Sequence, residues 1–179
     1  MRTTQLITGS LAVVATSALI GRGTPASAST APGASEPTTT REKGIVLECT
    51  GAFGRRPVYT SLYENSAHGN VLQVLVGRDG HRIGGSRPDA DGFLDHRRVR
   101  AAMKVGHRRA VIRGTARSVG DPVPVSEEHD DAGEHITVTG TNRGLATRLH
   151  FAWQGRTVPL VCATAFRYDL QVTRESITG

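Results

Sequence analysis

Phe166-Arg167-Tyr168-Asp169-Leu170-Gln171-Val172-Thr173 is the cleanest period-two run in the chain. Apolar and aromatic residues alternate with polar ones, the pattern of a strand with one face on a core. Just before it, Val158, Leu160 and Cys162 share one side of another extended segment. Near the start of the same domain, Ile45, Leu47 and Cys49 do likewise. Each cysteine therefore points where its apolar neighbours point, into a core. They are the only two cysteines, and a Cys49–Cys162 bridge is expected. It would close a loop of over 100 residues, stabilising by about 4–5 kcal/mol in the chain-entropy model. It would also bring the first strand to the last, as a closed barrel or a two-sheet sandwich requires.

The rest of the domain repeats the β pattern. Val58, Thr60 and Leu62 alternate with Tyr59, Ser61 and Tyr63. Asn70 to Gly77 reads as a buried strand, followed by an Asp79-Gly80 turn. Ile136 and Val138 precede an expected turn at Gly140-Thr-Asn-Arg-Gly144. Leu145, Thr147, Leu149, Phe151 and Trp153 form an inward row with Arg148, His150 and Gln154 outward, and Gln154-Gly155 turns next. Asp95 to Gly106 reads two ways. It could be a helix capped by Asp95 and Gly106. It could be a strand carrying Val99, Ala101, Met103 and Val105 on one side, turning at Gly106-His107. The strand is favoured, because Ala110 to Thr115 needs a neighbour. The predicted fold is all-β: an antiparallel barrel or sandwich of about eight strands, stapled by one disulfide.

The N-terminus carries a different message. Arg2, the uncharged run Leu6 to Ile20 and Ala26-Ser27-Ala28 have the layout of a secretory signal peptide, with cleavage expected after Ala28. The absence of an Arg-Arg pair before the apolar run points to the general secretion route. Residues 29–43 are rich in Ser, Thr and Pro and read as a flexible linker, with a single β domain over 44–179. No second apolar stretch follows, so no membrane span is expected after cleavage. A disulfide suits an exported protein.

The chain has 179 residues and a net charge of +6; removing 1–28 takes two arginines and no acid, leaving +4. Arginine supplies 20 of the 22 basic groups, a bias that a GC-rich bacterial genome also produces. Aromatics are only 4%, which argues against a platform for stacking bases and against nucleic acid as the partner. Charge is uneven. Residues 82–117 carry ten basic groups and three acids, and 121–134 carry six acids and no Lys or Arg. The basic patch is centred on Arg97, Arg98, Arg100, Lys104, Arg108 and Arg109. On the strand reading, Arg98, Arg100 and Lys104 point outward as a solvated face.

Candidate chemistry is sparse. Glu127 to His135 mixes His and carboxylates, and His129, Asp131 and His135 are the candidate metal ligands, but their spacing fits no metal motif. A polar hairpin loop explains the stretch better. Ser86 to Asp95 resembles part of a calcium loop with Arg87 and Arg98 at its first and last ligand positions, so an Asp/Gly turn is the better reading. No Gly-x-Ser-x-Gly occurs. His68 and His96 are the most isolated candidates for a general base. No cofactor is implied. The expectation is a secreted, monomeric, non-enzymatic module that binds an unknown extracellular ligand or protein. The alternatives are a secreted hydrolase whose site is assembled from distant residues, and an extracellular inhibitor or envelope structural protein.

Overall fold

The computed structural model describes residues 36–89 and 91–177. The expected signal peptide lies outside them. Every regular element among the described residues is a strand: β1 (Thr38–Phe53), β2 (Arg56–Asn65), β3 (Asn70–Val76), β4 (Ile83–Asp89), β5 (Leu94–Asp95), β6 (Arg98–Val105), β7 (Arg108–Ser118), β8 (Val123–Asp131), β9 (Glu134–Trp153) and β10 (Arg156–Ser176). Pairing is antiparallel throughout, in the order β4-β3-β2-β1-β10-β9-β7-β6-β5, with β8 also on β9. The ten strands form one curled half-barrel. No helix among the described residues is long and apolar enough to cross a membrane.

The expected disulfide is present. Cys49 and Cys162 are directly opposite on β1 and β10. Their location revises what the bridge does. It joins the first and last strands at the middle of the sheet, not at a closing seam. Two wings spread from this pair, β2-β3-β4 on one side and β9-β7-β6-β5 on the other. Curling brings the wings together without ladder pairing. Arg87 Nη2 on β4 donates to the Ala102 carbonyl on β6 at 2.7 Å. Glu64 on β2 accepts from the Phe93 and Leu94 amides beside β5.

The core fills the concave side. Leu47, Leu62, Leu72, Val105 and Phe151 are wholly buried there. The inward row Leu145, Leu149, Phe151, Trp153 forms as the alternation predicts, and so does the strand Arg98–Val105 with Val99, Ala101 and Val105 buried. The Gly106-His107 and Gln154-Gly155 turns are also where the sequence puts them.

Four expectations need correction. The sheet begins at Thr38, and Thr38 to Lys43 pair with Arg174 to Asp169. Those six residues belong to the fold and not to the tether; β10 is long enough to recruit them. Gly140 to Gly144 is not a turn, because β9 runs straight through it and exchanges partners there, β8 up to Asn142 and β7 from Leu145. Val123 to Asp131 is a strand, so the acidic segment is not a loop: only Ala132-Gly133 turns, both at positive φ (50° and 83°) as a two-residue hairpin demands. Residues 83–89 are likewise the strand β4, paired with β3, where a turn is expected from Ser86 on.

A bulge on β10 positions the site. Cys49 pairs with Cys162, but the preceding Glu48 pairs with Thr164, so Ala163 is an extra residue. A bulge of one residue reverses which side chains face the core. Before it, Leu160 and Cys162 point inward; after it, Ala165 does. The apolar row Phe166, Tyr168, Leu170, Val172 therefore lies on the outer side. There Tyr168 and Val172 are buried with Val46, and Tyr168 stacks on Tyr63 at 6.4 Å. Gly44 makes room for this. A Cβ at Gly44 would sit 1.7 Å from the Glu64 carbonyl and 2.7 Å from the Tyr168 hydroxyl.

Candidate functional site

The same bulge turns Arg167 and Asp169 to the concave side. Arg167 is directly opposite Ile45, a core residue, on β1 and directly opposite Arg143 on β9. Directly opposed residues share a face, so two arginines stand side by side at this end of the half-barrel. Lys43, two residues before Ile45, joins them. A cleft of about 510 Å³ opens here, lined among others by Lys43, Ile45, Glu64, Leu94, Arg143 and Arg167. A smaller one of about 260 Å³ shares Leu94 and Arg167 and adds His96, Arg97 and Arg117.

The carboxylates of the cleft already have partners. Asp169 receives both Nε and Nη2 of Arg41 at 2.8 Å and Lys43 Nζ at 3.1 Å. The Arg41 hydrogen bonds, with Lys43 beside them, hold the Asp169 carboxyl down to about 2. Glu64 is occupied by the Phe93 and Leu94 amides. Arg143 Nε donates to the Gly120 carbonyl at 2.9 Å. Among the described residues Arg167 has neither an ion pair nor a side-chain hydrogen bond. The smaller cleft is lined by no acid at all. Like charges directly opposed across strands are unfavourable, and a site lined this way favours an anion. Arginine forks match carboxylate or phosphate oxygens two at a time.

Behind the cleft lies a polar cluster on the outer side. Asn65 Nδ2 donates to Glu42 Oε2 at 2.6 Å and to the Tyr63 hydroxyl at 2.8 Å. Glu42 Oε1 is 3.1 Å from His68 Nε2. The Tyr168 hydroxyl donates to the Glu64 carbonyl at 2.6 Å. Burial, then neighbouring Tyr63, pushes the Tyr168 phenol well above its ordinary range. This cluster fixes β2 to β10 across Gly44, and so fixes the wall that carries Arg167.

The residues singled out in the sequence scatter. Arg98, Arg100, Lys104 and Arg109 lie together on the outer face of β6 and β7. Arg97 instead lines the smaller cleft. Arg108 is opposite Val105, on the core side at a hairpin end. His129 and Asp131 share one face of β8. His135 is opposite Asp130 on the other face, with Nδ1 2.7 Å from Asp130 Oδ1, a hydrogen bond that raises the His135 pKa. Register separates the three, and no group of metal-ligating side chains assembles among the described residues. His68 and His96 each meet a carboxylate, Glu42 and Asp95; neither meets a Ser or Thr hydroxyl among the described residues. Lys43, Arg143 and Arg167 are absent from the sequence-based candidates. Only the positions of the bulge and of the strand partners bring them together.

No family model and no curated protein matches this chain. Among solved structures it is similar to a provisionally named AttH protein from Nitrosomonas europaea, at 9% identity and a TM-score of 0.28. The overlap covers 89% of this chain, which spans 59% of that protein's length. So loose a likeness carries no statement about activity.

Proposed function

We propose that the protein is an extracytoplasmic binding module that takes an anionic ligand into the open, charged end of its half-barrel. One observation carries the reading. Arg167 and Arg143 are held side by side on the concave face, while Glu64 is taken up by backbone amides and Asp169 by Arg41 and Lys43. The core beneath is filled, with Leu47 and Phe151 at 0% exposure. A long apolar tail has no room, so the ligand is compact and polar, held by its charges. The disulfide, and a leader with the layout of a secretory signal, support a site outside the cytoplasm.

Calorimetric titration with inorganic phosphate, sulfate and citrate tests this. The expected result is saturable binding of at least one, weakened tenfold or more in Arg167→Gln and falling with added salt. Absence of binding across the three, or equal affinity in Arg167→Gln, would contradict it.

A further inference from the structure

A second basic surface lies on the opposite side of the sheet, and nothing in the cleft uses it. Register places Arg100 directly opposite Arg113 and Lys104 directly opposite Arg109 on β6 and β7. It continues onto β9, where Arg113 is opposite His150 and Thr115 opposite Arg148. These side chains alternate with the core residues Val99, Ala101, Ala110, Ile112 and Leu149, so they share the outer face. Arg98, Arg100, Lys104, Arg109, Arg113 and Arg148 are exposed. None forms a side-chain hydrogen bond or ion pair among the described residues. No acid interrupts β6 or β7.

Two directly opposed like-charge pairs on one regular sheet are unfavourable for folding. Solubility alone does not call for them, because lysine–glutamate pairing would serve as well. The backbone positions that carry them are about 4.8 Å apart between adjacent strands and about 6.8 Å apart between alternate residues of one strand. That is a two-dimensional grid suited to a string of charges. Side-chain chemistry narrows the partner. The face offers no Phe, Tyr or Trp ring to stack a base or a sugar, and its one imidazole is that of His150. Among the described residues no large apolar side chain of β6, β7 or β9 is exposed, and Val161, 72% exposed, stands on the neighbouring β10, so what this face itself offers is charge. Arginine forks pair with phosphate oxygens.

We infer that the outer face of β6, β7 and β9 docks a linear phosphate-repeat polymer, lying across Arg98, Arg100, Arg113 and Arg148. The cleft and this face are independent: one takes a compact anion, the other holds the protein on an extended one.

The experiment measures binding of inorganic polyphosphate fractions of increasing chain length over a range of salt. Wild type is compared with Arg100→Gln/Arg113→Gln, with the off-face pair Arg55→Gln/Arg56→Gln, and with Arg167→Gln. Affinity should rise with chain length. The Arg100/Arg113 variant should flatten the slope of log K against log salt by about 1.4, taking about 0.7 per lost contact on a single chain. The off-face pair and Arg167→Gln should leave that slope unchanged. An equal change in the off-face pair would overturn the inference, as would tighter binding of heparin or of phosphatidylglycerol vesicles than of polyphosphate. Loss of phosphate binding in Arg167→Gln with the polyphosphate slope intact would support the separation of the two surfaces.

Discussion

The two ends of the concave face are built from the same four central strands and have opposite characters. At the end formed by the β1–β2 and β9–β10 turns, Phe53, Phe151 and Trp153 pack together, with Phe53 and Trp153 ring centroids 5.1 Å apart and Arg156 over the Phe53 ring at 5.4 Å. About ten residues along, the same strands present Lys43, Arg143, Arg167 and Asp169. What separates the two ends is one extra residue, Ala163. Without it, β10 would keep Leu160, Cys162, Phe166 and Tyr168 on one side, and the core would run the full length of the sheet. With it, the aromatic row moves outside and the charges move in. A single insertion in a ladder is enough to make one half of a surface structural and the other half available for binding.

The largest expected contrast comes from truncating one residue at each end. Phe151→Ala should cost about 3–5 kcal/mol, because a fully buried ring leaves a cavity. Arg167→Ala should leave stability within about 0.5 kcal/mol, or raise it, by relieving its opposition to Arg143. Urea denaturation of both variants measures this; an equally large loss in Arg167→Ala would show that the charged end is structural after all.

Gly44→Ala sharpens the comparison from the other direction. The new methyl would collide with the Glu64 carbonyl, a backbone atom that cannot swing away. A loss of about 1–3 kcal/mol is expected, together with weakened anion binding as the wall carrying Arg167 shifts. Unchanged stability would mean that Tyr168 does not fix that wall.

The smallest effect is a pH dependence at the open end. Asp169 is depressed in the folded protein from 3.8 to about 2 by Arg41 and Lys43. A depressed carboxyl stabilises the fold above its unfolded pKa, and the contribution fades as pH falls toward the folded one. The urea midpoint of Asp169→Asn should therefore lie slightly below wild type at pH 6, and the gap should close between about pH 4 and pH 2. A gap that is constant with pH would exclude the ion pairs as its cause.

Much of this architecture is readable from residues. Alternation at Ile45-Leu47-Cys49, Val58-Thr60-Leu62 and Leu145 to Trp153 gives the core rows, and cysteine parity gives the bridge. The open end is not readable, for a definite reason. Val158, Leu160, Cys162, Phe166, Tyr168, Leu170 and Val172 all have even numbers, so the sequence shows one apolar face interrupted by Thr164 alone. The residue that turns it over, Ala163, carries no glycine or proline signal. Lys43 and Arg143 are hidden differently. Lys43 follows a tether-like composition, and Arg143 sits between Gly140 and Gly144, which look like a turn and are instead the point where β9 changes partners. The basic face was visible as a run of arginines, but its extent depends on β9 lying next to β7, a pairing that local pattern does not encode.

The most direct test follows the guanidinium Nε–Hε signals of Arg143 and Arg167 by NMR while phosphate is titrated into the folded, disulfide-bonded protein. Both signals should shift together with one saturating dissociation constant, while that of Arg156, held over Phe53 at the far end, stays fixed. If the two move only linearly with added salt, or no more than Arg156 does, the open end of the half-barrel is not a binding site.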